Sequence, residues 1–196
     1  IPHYLNMNEI QQTILKQRIK ILFEQGNFDD AEVIAIQVLK NFPKDTDTIL
    51  VLAQLLEAKS QFEQSAILYF KLSNLDLPFE AKIIALERAL DICRKYKFYK
   101  LGLLVSKEFL ITQNNDAKSL FYCGLFNYHE KYLFKAIDYL YQAHQLDKNN
   151  IWILNYLALS YTQTGQSDIG VNYFRKSFDI DQTQSMPLYN YNFSSE

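Results

Sequence analysis

Residues 116–150 read DAKSLFYCGLFNYHEKYLFKAIDYLYQAHQLDKNN, and residues 151–182 read IWILNYLALSYTQTGQSDIGVNYFRKSFDIDQ. Set one above the other, the two stretches share a register. Leu120 falls on Leu154, Gly124 on Ala158, Ala136 on Gly170, Ala143 on Ser177, Leu146 on Ile180 and Asp147 on Asp181, each pair 34 residues apart. A fixed period of this length marks a repeat architecture, in which one supersecondary unit stacks on the next to bury a shared apolar face.

The frame extends towards the N-terminus. Units beginning at 12, 46, 83, 117 and 151 are spaced by 34, 37, 34 and 34 residues. The wider spacing falls at Leu75-Asp76-Leu77-Pro78, a turn-like segment where extra loop residues are tolerated. Two slots recur through all the units. The twentieth position holds Ala31, Ser65, Gly102, Ala136 and Gly170, all small, and the fourth holds Leu15, Ile49, Leu86, Leu120 and Leu154, all aliphatic. A small residue early in a second helix lets that helix approach its partner closely, and the aliphatic anchor supplies the apolar face between them.

Apolar residues recur at helical spacing within each half-unit, as in Ile14, Ile19, Leu22 and Phe23. The pattern predicts helices over 8–25, 28–41, 46–58, 62–74, 79–95, 98–112, 117–130, 133–146, 151–163 and 167–180. Gly26-Asn27 and Thr164-Gly165 mark turns inside units, and Pro43-Lys44-Asp45 and Asn149-Asn150 mark turns between them. Only 5 Gly and 4 Pro occur, which favours long helices over many short strands.

At this point the sequence resembles the tetratricopeptide repeat family. That family carries a large residue at position 4, small residues at 8, 20 and 27, an aromatic near 17 and a proline near 32. The stretch EQGNFDDAEVIAIQVLKNFPKD matches with Gly26, Phe28, Ala31 and Pro43. The second and third units depart from the pattern, with Leu72 and Phe109 in a slot that is normally small. The resemblance implies an all-α, right-handed α-solenoid of about five helix-turn-helix repeats over residues 8–182. The tail at 183–196, with Leu188, Tyr189, Tyr191 and Phe193, then reads as a partial cap on Phe174 and Phe178, or as the cut edge of a longer protein.

The resemblance also implies where a partner would bind. In this family the first helices of successive units line a concave groove, exposing positions 2, 5, 6, 9, 12 and 13. Carried onto this frame, those positions nominate Lys16, Lys20, Gln54, Arg88, Arg94, Lys95, Phe121, Tyr122, Tyr128, Trp152, Asn155 and Tyr156 as groove residues. Aromatics crowd units four and five, and cations crowd unit three. Such a groove suits a protein or peptide with apolar and acidic groups. Trp152, the only tryptophan, is expected to be exposed. A heat-shock chaperone carboxylate clamp is not expected. It needs lysines, asparagines and an arginine at set positions of three successive units, and no three units here supply them.

Composition excludes other classes. With 20 basic and 22 acidic residues and a net charge of -2, the chain lacks the cationic footprint of a nucleic-acid or polybasic membrane binder. Its apolar runs break before the ~20 residues of a membrane span. Cys93 and Cys123 sit in apolar helical stretches and read as buried reduced thiols. No glycine-rich phosphate loop, metal-ligand spacing or nucleophile–base pair is apparent, so no cofactor, metal or catalytic residue is expected. Glu87 and Asp91 share a helical face, but Arg88, Arg94 and Lys95 beside them make it a mixed-charge surface.

The leading functional expectation is a non-catalytic protein–protein interaction scaffold. A second is the substrate-docking part of a larger enzyme, such as a glycosyltransferase or sulfotransferase, suggested by a chain that starts without Met and ends in an abrupt aromatic tail. A third is a bacterial secretion or pilus-assembly subunit, or a self-associating scaffold. Reduced cysteine usage and the absence of a signal or membrane segment point to the cytoplasm.

Overall fold

The computed structural model describes residues 8–184, and these form ten α-helices and no strand. In chain order they are α1 (Glu9–Glu24), α2 (Phe28–Asn41), α3 (Thr46–Ala58), α4 (Phe62–Ser73), α5 (Phe79–Tyr96), α6 (Tyr99–Thr112), α7 (Ala117–His129), α8 (Leu133–Leu146), α9 (Ile151–Gln163) and α10 (Ser167–Ile180). No boundary differs from its sequence expectation by more than about one residue, within the usual scatter of helix ends. Side-chain caps fix several starts. Asn8 and Gln11 form a reciprocal capping box on α1, while Asp45, Asp116 and Asn150 accept amide hydrogen bonds at the starts of α3, α7 and α9. The chain divides between Phe98 and Tyr99 into two compact units, the first holding α1–α5 and the second α6–α10.

In the first unit the core joins Ile19 of α1, Ala31, Ile34, Ala35 and Val38 of α2, and Leu52, Leu55 and Leu56 of α3. The small slots Ala31 and Ser65 are buried, and the Ser65 hydroxyl donates to the Ala53 carbonyl across the α3–α4 contact at 2.8 Å. A second cluster gathers Ile49, Leu72 and Ala85, with Leu75 and Leu77 packed against it. The irregular segment before Pro78 is thus more than slack. Its leucines pack against the cluster that the larger Leu72 side chain forms with α3 and α5.

In the second unit Leu120, Tyr128, Ala136, Leu140, Ala143, Ile153 and Leu157 form the core. Gly102, Ala136 and Gly170 are all buried. A Cβ on Gly170 would lie 2.8 Å from the Ala158 carbonyl oxygen and 2.4 Å from the Thr162 hydroxyl oxygen, so α10 rests directly on α9. At Gly102 the close neighbour is the Phe126 ring of α7, in the repeat that follows, rather than a side chain of its own repeat. Phe109, the other oversized residue, is buried edge-on to Tyr122, with ring centroids 6.1 Å apart. Phe174 is buried. The tail expected to cover it, at 185–196, lies outside them.

A backbone feature repeats where the residues do not. Gly26, Ser60, Lys97, Lys131 and Gly165 all have positive φ, from 60° to 82°. Each is the fifteenth residue of its predicted unit. The amide of the next residue then reaches back to a carbonyl five residues earlier: Asn27 to Leu22, Gln61 to Leu56, Phe98 to Cys93, Tyr132 to Asn127 and Gln166 to Tyr161, at 2.7–2.9 Å. This is the Schellman termination, in which one left-handed residue satisfies the last carbonyls of a helix and turns the chain.

Side chains with a Cβ are strained in this conformation, by about 1 kcal/mol or more. Ser60→Gly and Lys131→Gly are therefore expected to stabilise the fold by about 0.5–1 kcal/mol each, and Gly26→Ala to destabilise it by a similar amount. Urea midpoints at unchanged m-value would check this.

His144 offers a second check. Its Nδ1 is buried without a hydrogen-bond partner, and its ring meets Tyr173 edge-on at 5.7 Å. Burial pushes its pKa below the ordinary histidine value, and Lys176 and Lys148 push the same way against Asp147. The unfolded chain then binds the proton first as pH falls. This contribution to stability is whole above about pH 6.5 and is lost as pH drops through the window beneath. His144→Gln should flatten the difference between urea midpoints at pH 7.5 and pH 5.

Candidate partner-binding faces

The first unit carries three successive depressions along α1, α3 and α5. One, of about 510 Å³, is lined by Phe23, Leu50, Gln54, Glu57, Tyr69, Ile84 and Arg88. The next, of about 250 Å³, shares Glu57 and Arg88 and adds Asp91, Ile92, Arg94, Lys95 and Tyr96. The third, of about 190 Å³, is lined by Lys16, Ile19, Lys20, Asp47, Thr48 and Val51. All six groove residues nominated in this unit, Lys16, Lys20, Gln54, Arg88, Arg94 and Lys95, line one of them. Tyr69 was not nominated. It reaches the cavity from α4, a second helix of its pair, and a rule confined to first helices passes over it.

The largest and smallest of the three have apolar walls and charged rims, while the one at the end of α5 is lined mainly by charged side chains. Leu50 and Ile84, on neighbouring first helices, are 39% and 67% exposed and line the same cavity. Much of the cationic charge is already matched from within. Lys16 Nζ lies 2.7 Å from Asp47 and 3.2 Å from Asp45. Burial opposes its charge, but the two carboxylates outweigh this and hold its pKa above the ordinary value. Asp45 is likewise held below its ordinary range, burial being outweighed by the Thr48 amide and Lys16. Arg88 grips both carboxylate oxygens of Glu57, which raises its pKa. Tyr69, beside this pair, is raised by burial and by Glu57. By contrast the contact between Arg94 and Asp91 is 3.9 Å, at the outer limit of an ion pair, and Lys95 lies over the Tyr96 ring at 5.2 Å.

In the second unit the nominated aromatics separate. Tyr122 and Tyr128 are 7% and 8% exposed and belong to the core, not to an open face. The reason is that α7 contacts α6, α8 and α9, which leaves it little free surface. Tyr128 has its hydroxyl hydrogen-bonded by the Gln163 amide at 2.5 Å. Phe121 and Tyr156 are half-buried, with their rings edge to face at 5.9 Å. Asn155 donates to Gln184 at 2.7 Å, and Gln184 in turn donates to the Ser177 and Asp181 carbonyls. Trp152 is 58% exposed. His129, the last residue of α7, stacks flat on Tyr99 at 4.1 Å and lies 3.2 Å from the Tyr156 hydroxyl. No spacing in the sequence pairs Tyr99 with His129, because they come from different repeats.

Both cysteines are buried and free. Burial pushes the Cys93 thiol up to about 12 and the Cys123 thiol up to about 11, so both stay protonated at neutral pH. Among the described residues no group of three or more His, Cys, Asp or Glu is placed to hold a metal ion, and no helix is long and apolar enough to cross a membrane.

These features define a helical-repeat protein with the tetratricopeptide-type fold. Solved structures share it. MamA from Desulfovibrio magneticus RS-1, from residue 41 to its end, has a TM-score of 0.62 at 17% identity, covering 91% of this chain and 99% of that one. Another crystal structure of MamA gives 0.63 at 18% identity, over 94% and 98%. YrrB, described as a TPR protein with an unusual peptide-binding site, gives 0.65 at 12% identity, over 87% and 86%. No protein-family model matches the chain, and no curated protein matches its sequence.

As the sole tryptophan, Trp152 is its own reporter. Its fluorescence is expected to be red-shifted and quenched by acrylamide nearly as readily as a free tryptophan amide. A blue emission resistant to quenching would place it inside the core instead.

Proposed function

We propose that this protein is a non-catalytic protein–protein interaction scaffold that holds a partner segment on its first-helix faces, chiefly along α1, α3 and α5. The observation that carries this is the 510 Å³ cavity, where exposed Leu50 and Ile84 are framed by Gln54 and the Glu57–Arg88 pair. An apolar floor inside a polar rim is the anatomy of a recognition surface: the floor supplies affinity and the rim supplies selectivity. The peptide-binding site described for YrrB, on the same fold, supports the reading. In the second unit Trp152 is the anchor of choice, being large, exposed and polar at one end.

A random peptide library panned against the folded full chain, followed by photocrosslinking of the retained peptides, would test this. Crosslinks should fall on α1, α3, α5 or Trp152. Ile84→Glu, at a position open enough to accept it, should weaken peptides bound in the first unit at least about tenfold, or roughly 1.4 kcal/mol. If the peptides instead map to the outer faces of α2 and α4, or if Ile84→Glu and Trp152→Ala both bind as well as the parent, the assignment fails.

A further inference from the structure

The same face constrains what its guest looks like, on the reading just given. The apolar walls of the large cavity, Phe23, Leu50 and Ile84, call for an apolar side chain. The charges around it are not equivalent. Arg88 is held through both Nε and Nη2 by Glu57, so a guest carboxylate there would have to displace an internal one. Lys16 is held in the same way by Asp45 and Asp47. Arg94 and Lys95 differ. Both are exposed at the last turn of α5, one with a 3.9 Å contact to Asp91 and the other facing an aromatic ring. They line the 250 Å³ depression that shares Glu57 and Arg88 with the large cavity, so a guest leaving the apolar site passes directly to them.

The helix sets the distance. From a level midway between Ile84 and Arg88 to Arg94 and Lys95 is eight or nine residues of α5, about 13 Å at 1.5 Å per residue. An extended chain covers that span in about four residues at ~3.3 Å each. We propose that the α3–α5 face of the first unit takes an extended peptide segment whose apolar side chain sits between Leu50 and Ile84, with a carboxylate about four residues away on Arg94 and Lys95. Charge complementarity selects the guest and the apolar contact retains it.

The test uses a fluorescein-labelled peptide containing Leu-Phe-Gly-Ser-Ser-Asp-Glu, a copy with Lys-Lys in place of Asp-Glu, and a copy with Gly-Gly in place of Leu-Phe. Fluorescence anisotropy on the full chain should show the acidic peptide binding about tenfold more tightly than the lysine copy at low salt, with the gap closing as salt rises. The glycine copy should lose affinity. Arg94→Glu/Lys95→Glu should invert the preference. Arg94→Gln/Lys95→Gln should erase it, and serves as the readout if the charge-reversed pair fails to fold. Ile84→Glu should weaken both charged peptides. Equal binding of the acidic and basic peptides, or a preference unchanged in both double variants, would overturn the proposal. If these peptides fail while panned peptides still crosslink to α3 or α5, the guest chemistry is wrong and the scaffold reading survives. If panning also fails, both fall together.

Discussion

Where one helix of a pair meets the next, there is room for almost no side chain. A Cβ on Gly170 would meet the Ala158 carbonyl and one on Gly124 would meet the Leu140 side chain, while Gly102 is as tightly closed by the Phe126 ring of the next repeat. Ala31, Ala136 and Ser65 occupy equivalent contacts with full burial. Backbones brought this close exclude water and set the separation of the pair. Every larger residue can then interdigitate at crystal-like density. The serine shows that small size, not apolarity, is what the contact demands, because its hydroxyl is satisfied by a carbonyl across the gap. The departures are instructive too. Leu72 and Phe109 are too large for their slots, and the chain answers with the packed Leu75 and Leu77 in one case and an edge-to-face tyrosine in the other.

The second constraint is the turn. A helix that ends in a left-handed residue, with the following amide bonded back to a carbonyl five residues before, leaves in one direction only. Five such ends at the same point of the repeat give the hairpins one geometry. Two of the five are glycines. The other three carry side chains into a strained region, and they hold it because the small slot follows five residues later and the packing there over-determines the turn.

At the candidate binding face, the decisive physics is which charges are already matched. Lysines and arginines on a groove wall look alike as letters. In the folded unit Lys16 and Arg88 serve the protein's own carboxylates and stiffen the wall, while Arg94 and Lys95 stand outward. An ion pair within the wall contributes little net affinity for a guest, because the guest would have to displace it. It does hold the apolar floor of Leu50 and Ile84 between fixed flanks.

The helices, their ends and the repeat were legible in the order of residues alone, because helical periodicity and a recurring small residue are local and periodic signals that survive in one dimension. That order also marked the first-helix positions that line the cavities of the first unit, since position within a repeat fixes which face a side chain occupies. Which of those side chains are available depends on how the helices pack. Tyr122 and Tyr128 disappeared into the core because α7 is packed by three neighbours, a fact about other helices that no residue on α7 encodes. Tyr69 entered the cavity from a second helix, and His129 found Tyr99 across repeats. Burial and charge pairing are properties of contacts between distant segments, and they exist only once the helices are laid side by side.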